Sequence, residues 1–151
     1  MTFSRFDFSE FVELAKLLSN EVTSLESQSL SAVNSPQVQA KVRTAISRAY
    51  YGAFQEVFLY TRDVLQDQET LISRGRGTGP FKHEYIAELY ATDKFSKKKR
   101  EIGTKLNNLR RSRNFSDYDA KPSVKRISEA RNAVTDAVYV LEKLEEIQNG
   151  D

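Results

Sequence analysis

The sequence predicts an all-α protein, an antiparallel bundle of four to five helices with a long central second helix. Apolar residues recur at three-and-four spacing in several segments, and no segment has the alternating pattern of a half-buried strand. With 151 residues, of which 39% are hydrophobic and 29% charged, the chain is long enough to bury one continuous core. We therefore expect residues 1–151 to form a single helical domain.

The composition excludes several kinds of site. Because the chain has no cysteine and one histidine, His83, it cannot form a disulfide, a thiolate metal site or a cluster of histidine ligands, although a carboxylate site is not excluded. No apolar run approaches the roughly 20 residues of a membrane-spanning helix, and the N-terminus lacks the layout of a signal peptide. We expect a cytoplasmic protein with no membrane partner and no cofactor. The net charge of +2 is too small to indicate nucleic acid by itself.

The first predicted helix begins near Ser9 and ends at about Leu30. Asp7 and Glu10 are placed to form a capping box at its start. Six apolar residues at helical spacing predict its buried face, namely Phe11, Leu14, Leu17, Leu18, Val22 and Leu25. A break at residues 31–35 then predicts a hairpin connection to the second helix.

The second predicted helix is the central one, since more than half of its circumference is apolar. Ser35 suits its cap and Pro36 its first position, and the pattern continues to about Gln66, a length of about 45 Å at about 1.5 Å per residue. Its two apolar stripes contain Val38, Val42, Ile46, Ala49, Ala53, Val57 and Val64, and beside them Tyr50, Phe54, Phe58 and Leu65. Small residues that permit close approach by another helix or a partner chain are Ala45, Ala49, Gly52 and Ala53. The polar side carries Thr44, Arg48, Tyr51, Gln55 and Arg62.

Residues 73–80 are predicted to form a surface loop, because three of the six glycines and one of the three prolines lie there. A phosphate cradle is the less favoured alternative, since no strand precedes this segment and no lysine-serine pair follows it. A short helix follows Pro80, with an apolar face of Phe81, Tyr85, Ile86 and Leu89. We expect His83 to be a polar surface residue on this helix.

The fourth predicted helix is strongly basic. Between Lys94 and Asn114 there are nine lysines and arginines and one acid, Glu101, beside a thin apolar stripe of Ile102, Leu106 and Leu109. The run at residues 97–100 alone is typical of a solvated face, but its continuation into further arginines makes the helix a candidate for phosphate contacts. Residues 117–123 are predicted to form a turn, with Ser123 capping a last helix. The apolar face of that helix contains Val124, Ile127, Ala130, Val134, Val138, Leu141 and Leu144.

Two stretches carry the densest chemistry of the chain, RTAISRAYYGAF at residues 43–54 and LRRSRNFSDYD at residues 109–119. Each places arginines beside tyrosines, and we expect a site where the two stretches meet. They resemble the HEPN family, named for a nucleotide-binding domain of higher eukaryotes and prokaryotes. The first is similar to the small-residue helix with Arg-Ala-Tyr-Tyr in such families, and the second to their Arg-Asn-x-x-Asp-Tyr segment. The resemblance covers roughly residues 9–146.

The resemblance implies a helical bundle that often dimerises and that in many members is a metal-independent endoribonuclease. The catalytic signature of the family is an arginine followed four to six residues later by a histidine, with one copy from each protomer. Arg113 and Asn114 match its opening, whereas Asp117 and Tyr118 stand where the histidine should fall. The catalytic candidates are Arg113, Asp117 and Tyr118. The RNA- or nucleotide-binding candidates are Arg48, Tyr51, Arg110, Arg111 and Asn114.

The missing histidine predicts weak or lost ribonuclease activity. RNA cleavage without a metal needs a base for the 2′-hydroxyl and a cation for the developing charge on phosphorus, roles that suit histidine and arginine. An aspartate, with an ordinary pKa near 3.9, is a much weaker base. A tyrosine, with an ordinary pKa near 10, is protonated at neutral pH and cannot accept the proton. A structural interpretation of the same residues is a salt bridge between Arg48 and Asp117, with Tyr50 and Phe54 in the core.

Three functions remain open from the sequence. The first is an RNA-related role of the toxin or defence type, with RNA bound along the basic fourth helix. The second is a non-catalytic homodimeric module that works with a separate partner, such as a nucleotidyltransferase or an antitoxin protein. The third, a nucleotide-binding domain that uses Arg48, Arg110 and the glycine-containing loop, follows from the family name more than from these residues.

Overall fold

The computed structural model describes residues 5–26, 35–65, 80–92, 95–118 and 127–150, and these residues contain helices and turns but no strand. The helices are α1 (Ser9–Glu26), α2 (Pro36–Tyr60), α3 (Pro80–Tyr90), α4 (Lys97–Tyr118) and α5 (Ile127–Gln148). A π-helical turn, Thr61–Leu65, directly continues α2. The prediction of an all-α bundle with a long second helix is confirmed. None of the described helices is both long enough and apolar enough to cross a membrane.

Contacts between helix ends show that α2 runs antiparallel to α1, and α5 antiparallel to α4. Lys41, near the start of α2, forms an ion pair of 2.6 Å with Glu21, near the end of α1. At the opposite ends of the same helices, the Glu56 carboxylate accepts a hydrogen bond of 2.9 Å from the backbone N–H of Phe8. The start of α4 likewise lies beside the end of α5. The start of α2 lies beside the end of α1. It also lies beside the end of α4, where Arg43 donates a hydrogen bond to the Ser116 carbonyl oxygen.

Helix α2 is central, as predicted, because it packs against α1, α4 and α5. Ser35 caps its start by accepting a hydrogen bond of 3.2 Å from the backbone N–H of Val38. The largest fully buried side chains of the core are Tyr50, Tyr90, Phe54, Ile46, Ile86, Ile102, Leu106 and Leu109. Both predicted stripes of α2 are buried along Pro36–Tyr60. Val64 is 62% exposed, because a π-helical turn holds more residues than an α-helical turn and rotates the stripe away from the core.

The buried face of α1 differs from the predicted one, because α1 approaches α2 closely. A Cβ atom at Gly52 would lie 2.6 Å from Val12 Cγ2 and 2.9 Å from the Phe8 carbonyl oxygen, so another helix of this chain occupies the small-residue face of α2. Only small side chains fit at this distance. The face of α1 in the core consists of Val12, Ala15, Ser19 and Val22. Leu14 and Leu17, which were predicted to be buried, are 42% and 68% exposed.

One predicted boundary is wrong, and three other predictions fall wholly or mostly outside the described residues. Asp117 and Tyr118 belong to the last turn of α4, so the prediction of a turn beginning at residue 117 is wrong. Residues 109, 113 and 116 of α4 are all buried, so the spacing of three and four residues continues into the last turn. This continuation keeps Asp117 and Tyr118 in the helix. The predicted end of α1 at Leu30 and the cap at Ser123 lie outside the described residues. So does the loop predicted at residues 73–80, except for Pro80, which begins α3.

Candidate functional site

The two stretches singled out in the sequence meet at an open cleft of about 560 Å³. Residues from α1, α2 and α4 line the cleft, namely Phe11, Arg43, Thr44, Ser47, Arg48, Tyr51, Ser116 and Asp117. Five of them come from α2, where spacings of three and four residues place their side chains along one side of the helix. Two arginines, several hydroxyl groups and two aromatic rings thus surround one opening.

The antiparallel arrangement of α2 and α4 creates this opening. The last four carbonyl groups of a helix have no partner within that helix, and the end of α4 lies beside the start of α2. Arg43 Nη1 donates a hydrogen bond of 3.0 Å to the Ser116 carbonyl oxygen and so satisfies one of these groups. A cation at this position also complements the negative end of the α4 dipole. Arg43 therefore ties the two stretches together at the cleft wall.

Arg48 is the most available cation of the cleft. Its Cζ atom lies 5.0 Å from the ring centroid of Phe11 and 6.0 Å from that of Tyr51, so the guanidinium rests between aromatic rings of α1 and α2. Within the described part of the chain, Arg48 forms no ion pair. The predicted salt bridge between Arg48 and Asp117 is therefore wrong, since the aromatic rings hold the guanidinium on the α1 side of the cleft.

Asp117, at the rim, pairs with residues from both stretches. Its Oδ2 atom lies 3.8 Å from Arg113 Nη1, one helical turn earlier in α4. The same oxygen accepts a hydrogen bond of 3.4 Å from Ser47 Oγ. The carboxylate thus neutralises a neighbouring guanidinium and links α4 to α2.

Arg113 lies behind the cleft and does not line it. Only 7% of its surface is exposed, and its Cζ atom is 5.2 Å from the ring centroid of Tyr50 and 5.3 Å from that of Tyr51. Burial raises the pKa of the Tyr50 hydroxyl well above its usual value, and the Arg113 charge opposes this rise. Tyr50 is therefore a neutral phenol, and among the described residues Asp117 is a negative group that faces Arg113.

His83 is a buried part of this cluster, so its prediction as a surface residue is wrong. It is 5% exposed, and its Nδ1 atom lies 2.6 Å from the Tyr50 hydroxyl. Its ring centroid is 4.2 Å from that of Phe54. The sequence did contain a signal, since His83 shares helical spacing with the buried residues Ile86, Ala87 and Tyr90.

The other candidates are divided between the cleft and the rest of α4. Arg48 and Tyr51 line the cleft, whereas Arg110, Arg111 and Asn114 do not. Arg110 Nη2 donates a hydrogen bond of 3.1 Å to Asn107 Oδ1, and Arg111 is exposed. Tyr118 is helical, and its side chain lies outside the described residues. Sequence reasoning assigned Phe11 to the core and did not select Arg43 or Ser47, although both lie in the first stretch.

Two lysines of α4 pair with acids of α5. Lys98 lies 3.3 Å from the Glu146 carboxylate, and Lys105 lies 3.1 Å from that of Asp136. The Tyr139 hydroxyl donates a short hydrogen bond to Glu101. We call the surface formed by Lys98, Glu101, Lys105, Asp136, Tyr139 and Glu146 the ion-paired face. Its lysines have carboxylate partners within the chain.

Neither a metal centre in the described part of the chain nor a match to a known protein adds to this site. Among the described residues, no group of three or more histidine, aspartate or glutamate side chains is placed to hold a metal ion. No protein-family model, no curated protein and no solved structure matches the chain. We therefore infer a function from the geometry of the cleft between α1, α2 and α4.

Proposed function

We propose that this protein binds RNA, with a backbone phosphate held at Arg48 and a base placed against Tyr51 or Phe11. The position of Arg48 is the observation that carries the proposal. A guanidinium supported by two aromatic rings, with no carboxylate partner among the described residues, keeps its charge available to a ligand. Its planar fork matches two oxygens of a phosphate.

The remaining groups of the cleft fit the same ligand. Aromatic rings are sequence-tolerant platforms for bases, and stacking contributes about 1–3 kcal/mol per base. Thr44 and Ser47 add hydroxyl groups beside Arg48. A volume of about 560 Å³ falls within the range of about 300–1,000 Å³ that is usual for small-molecule sites, so the cleft has room for about one nucleotide unit. The resemblance of both stretches to HEPN domains independently favours an RNA-related role.

We propose binding with weak or no cleavage. Asp117 faces Arg113 and accepts a hydrogen bond from Ser47, so its Oδ2 atom is occupied by groups of the protein rather than directed at a ligand. Arg113 lies behind Tyr50 and Tyr51, away from a phosphate in the cleft. Both residues serve best as supports that hold the cleft in shape.

Binding of labelled single-stranded RNA, followed by fluorescence anisotropy across a salt series, tests the proposal. Arg48→Gln should weaken binding about tenfold, since hydrogen bonds to charged groups contribute about 1.5–3 kcal/mol. The matched control is Arg131→Gln, because Arg131 is a half-exposed arginine paired with Glu26 at 3.2 Å, outside the cleft. It should change affinity less than about twofold. Equal losses in the two variants, or no binding by the wild type at low salt, would contradict the proposal.

Incubation of a mixed RNA pool with the protein in chelator tests the absence of efficient cleavage. We expect the RNA to stay intact. Cleavage that disappears in both Arg113→Ala and Asp117→Ala would instead identify these residues as catalytic and make the protein a divergent ribonuclease. Size-exclusion chromatography of each variant controls for misfolding.

A further inference from the structure

A chain of buried side chains connects α3 to the cleft. His83 Nδ1 lies 2.6 Å from the Tyr50 hydroxyl, and the Tyr50 ring lies against the Arg113 guanidinium at 5.2 Å. The Tyr51 ring packs edge-on against Tyr50, with 5.3 Å between their centroids, and lines the cleft. Tyr50 thus contacts three residues: His83, Arg113 behind the cleft, and Tyr51 in the cleft wall.

The hydrogen bond between His83 and Tyr50 determines where the Tyr50 ring can lie. Both residues are buried, so neither polar atom has bulk water as an alternative partner. A buried polar group that loses its partner is costly, and the ring would shift or leave the hydroxyl unsatisfied. The rings of Tyr50, Tyr51 and Phe54 all approach His83, with centroids within 5.9 Å of its own. A change at His83 is therefore transmitted to Tyr50 and Tyr51.

We propose that His83 is a positioning residue for the cleft, holding Tyr50 so that Arg113 and Tyr51 keep the arrangement that RNA requires. This inference rests on the proposed RNA binding. It assigns His83 no contact with RNA, since the residue is buried and does not line the cleft. Among the described residues, the charged and titratable groups that face Tyr50 are His83 from α3, Tyr51 from α2, and Arg110 and Arg113 from α4.

Three substitutions separate positioning from simple stability. His83→Phe keeps a ring and removes the Nδ1 atom, while Tyr50→Phe removes the hydroxyl from the other side. Each should weaken RNA binding about three- to tenfold, when measured at a temperature where the variants are fully folded. His83→Asn places an amide atom near the position of Nδ1 and should restore affinity to within about twofold of the wild type.

Tyr90→Phe is the matched control. Tyr90 is as buried as Tyr50 and shares a hydrogen bond of 2.7 Å with Thr61, away from the cleft. This variant should lose stability similarly yet bind RNA as the wild type does. Equal affinity of His83→Phe and wild type, no rescue by His83→Asn, or an equal loss in Tyr90→Phe would overturn the inference.

NMR of the Arg113 side-chain N–H group gives a readout that needs no RNA. We expect a protected, sharp signal in the wild type and in His83→Asn, and a broadened or rapidly exchanging signal in His83→Phe. If the wild type binds no RNA, the proposed function falls, and this signal still decides whether His83 positions Arg113. An unchanged signal in His83→Phe would overturn the positioning role on its own.

Discussion

The cleft and the ion-paired face both hold cations, and they differ in what those cations contact. In the cleft, Arg48 rests on the rings of Phe11 and Tyr51. On the ion-paired face, Lys98 and Lys105 lie within 3.3 Å of carboxylates of α5. Lys98 and Lys105 belong to the basic run of α4 and are paired, whereas Arg48 of α2 has no carboxylate partner among the described residues. A local excess of charge therefore does not identify a binding surface until the partners of each charge are known.

Pairing of the lysines affects both the stability of the bundle and its attraction for RNA. Exposed ion pairs contribute about 0–1 kcal/mol each, so the ion-paired face stabilises the bundle only modestly. Paired charges of opposite sign also largely cancel beyond the Debye length of about 8 Å at physiological ionic strength. An RNA backbone is thus attracted less by this face than the number of lysines indicates. Four predictions test the comparison, from the largest expected effect to the smallest.

Two glycines at close helix contacts should give the largest effects, Gly52 beside the cleft and Gly103 where α4 packs against α3. A Cβ atom at Gly103 would lie 2.6 Å from the Ala91 backbone nitrogen, whereas at Gly52 the nearest atom is the Val12 side chain, also at 2.6 Å. Each alanine variant should destabilise the protein by about 1–3 kcal/mol, with Gly103→Ala the worse because backbone cannot move aside. Gly52→Ala should also weaken RNA binding, since it displaces α1 and with it Phe11.

Urea unfolding measures the loss of stability in these two variants, and anisotropy under folded conditions measures their binding. Tyr90→Phe is the control for Gly52→Ala, because Gly103→Ala displaces α3, which carries His83, and should therefore also disturb the cleft. A loss of RNA affinity as large in Tyr90→Phe as in Gly52→Ala would show that binding reports general damage to the bundle rather than the shape of the cleft.

Removal of the acids should convert the ion-paired face into a binding surface. In the double variant Asp136→Asn and Glu146→Gln, Lys98 and Lys105 lose their carboxylate partners. We expect RNA affinity at low salt to rise about three- to tenfold and the salt dependence to steepen, since each newly available lysine adds a phosphate contact. The change should persist in an Arg48→Gln background. An unaltered salt slope would mean that these pairs do not screen the lysines.

Asp117→Asn should also raise RNA affinity, but by less than the double variant. The carboxylate at the rim repels phosphate, and asparagine can keep the hydrogen bond with Ser47 while removing the charge. We expect RNA affinity to rise about two- to threefold, measured by anisotropy, with a modest loss of stability because Arg113 loses its counter-charge. A loss of RNA affinity would instead show that the Asp117 carboxylate contacts the ligand, or that its charge and not only its hydrogen bond with Ser47 supports the cleft.

The smallest effect is a pH dependence on the ion-paired face. Hydrogen bonds from Lys143 and Lys98 lower the pKa of Glu146 below its usual value of 4.5. The stabilisation is therefore complete above that value and is lost as the pH falls through the lower folded-state pKa. Urea unfolding between pH 3 and 7 should show the wild type losing its advantage over Glu146→Gln at the acidic end. Parallel curves for the two proteins across this range would refute the assignment.

The sequence predicted most of the secondary structure and part of the site. The cap at Ser35, the buried stripes of α2 and the apolar positions of α4 follow from the period of 3.6 residues and from local hydrogen bonding. It also predicted that the two arginine and tyrosine stretches meet. Within them, Arg48 and Tyr51 line the cleft, whereas Arg113 lies behind it.

The tertiary structure alone decided the partners of the polar groups. The sequence did not show that Arg48 lies on Phe11, that Asp117 pairs with Arg113, or that His83 bonds to Tyr50. Helical periodicity is a local property, whereas the rotation and offset of two packed helices depend on side-chain volumes along both. At Gly52 a single missing Cβ atom lets α1 approach closely, and this contact selects the face of α1 in the core and brings Phe11 to the cleft.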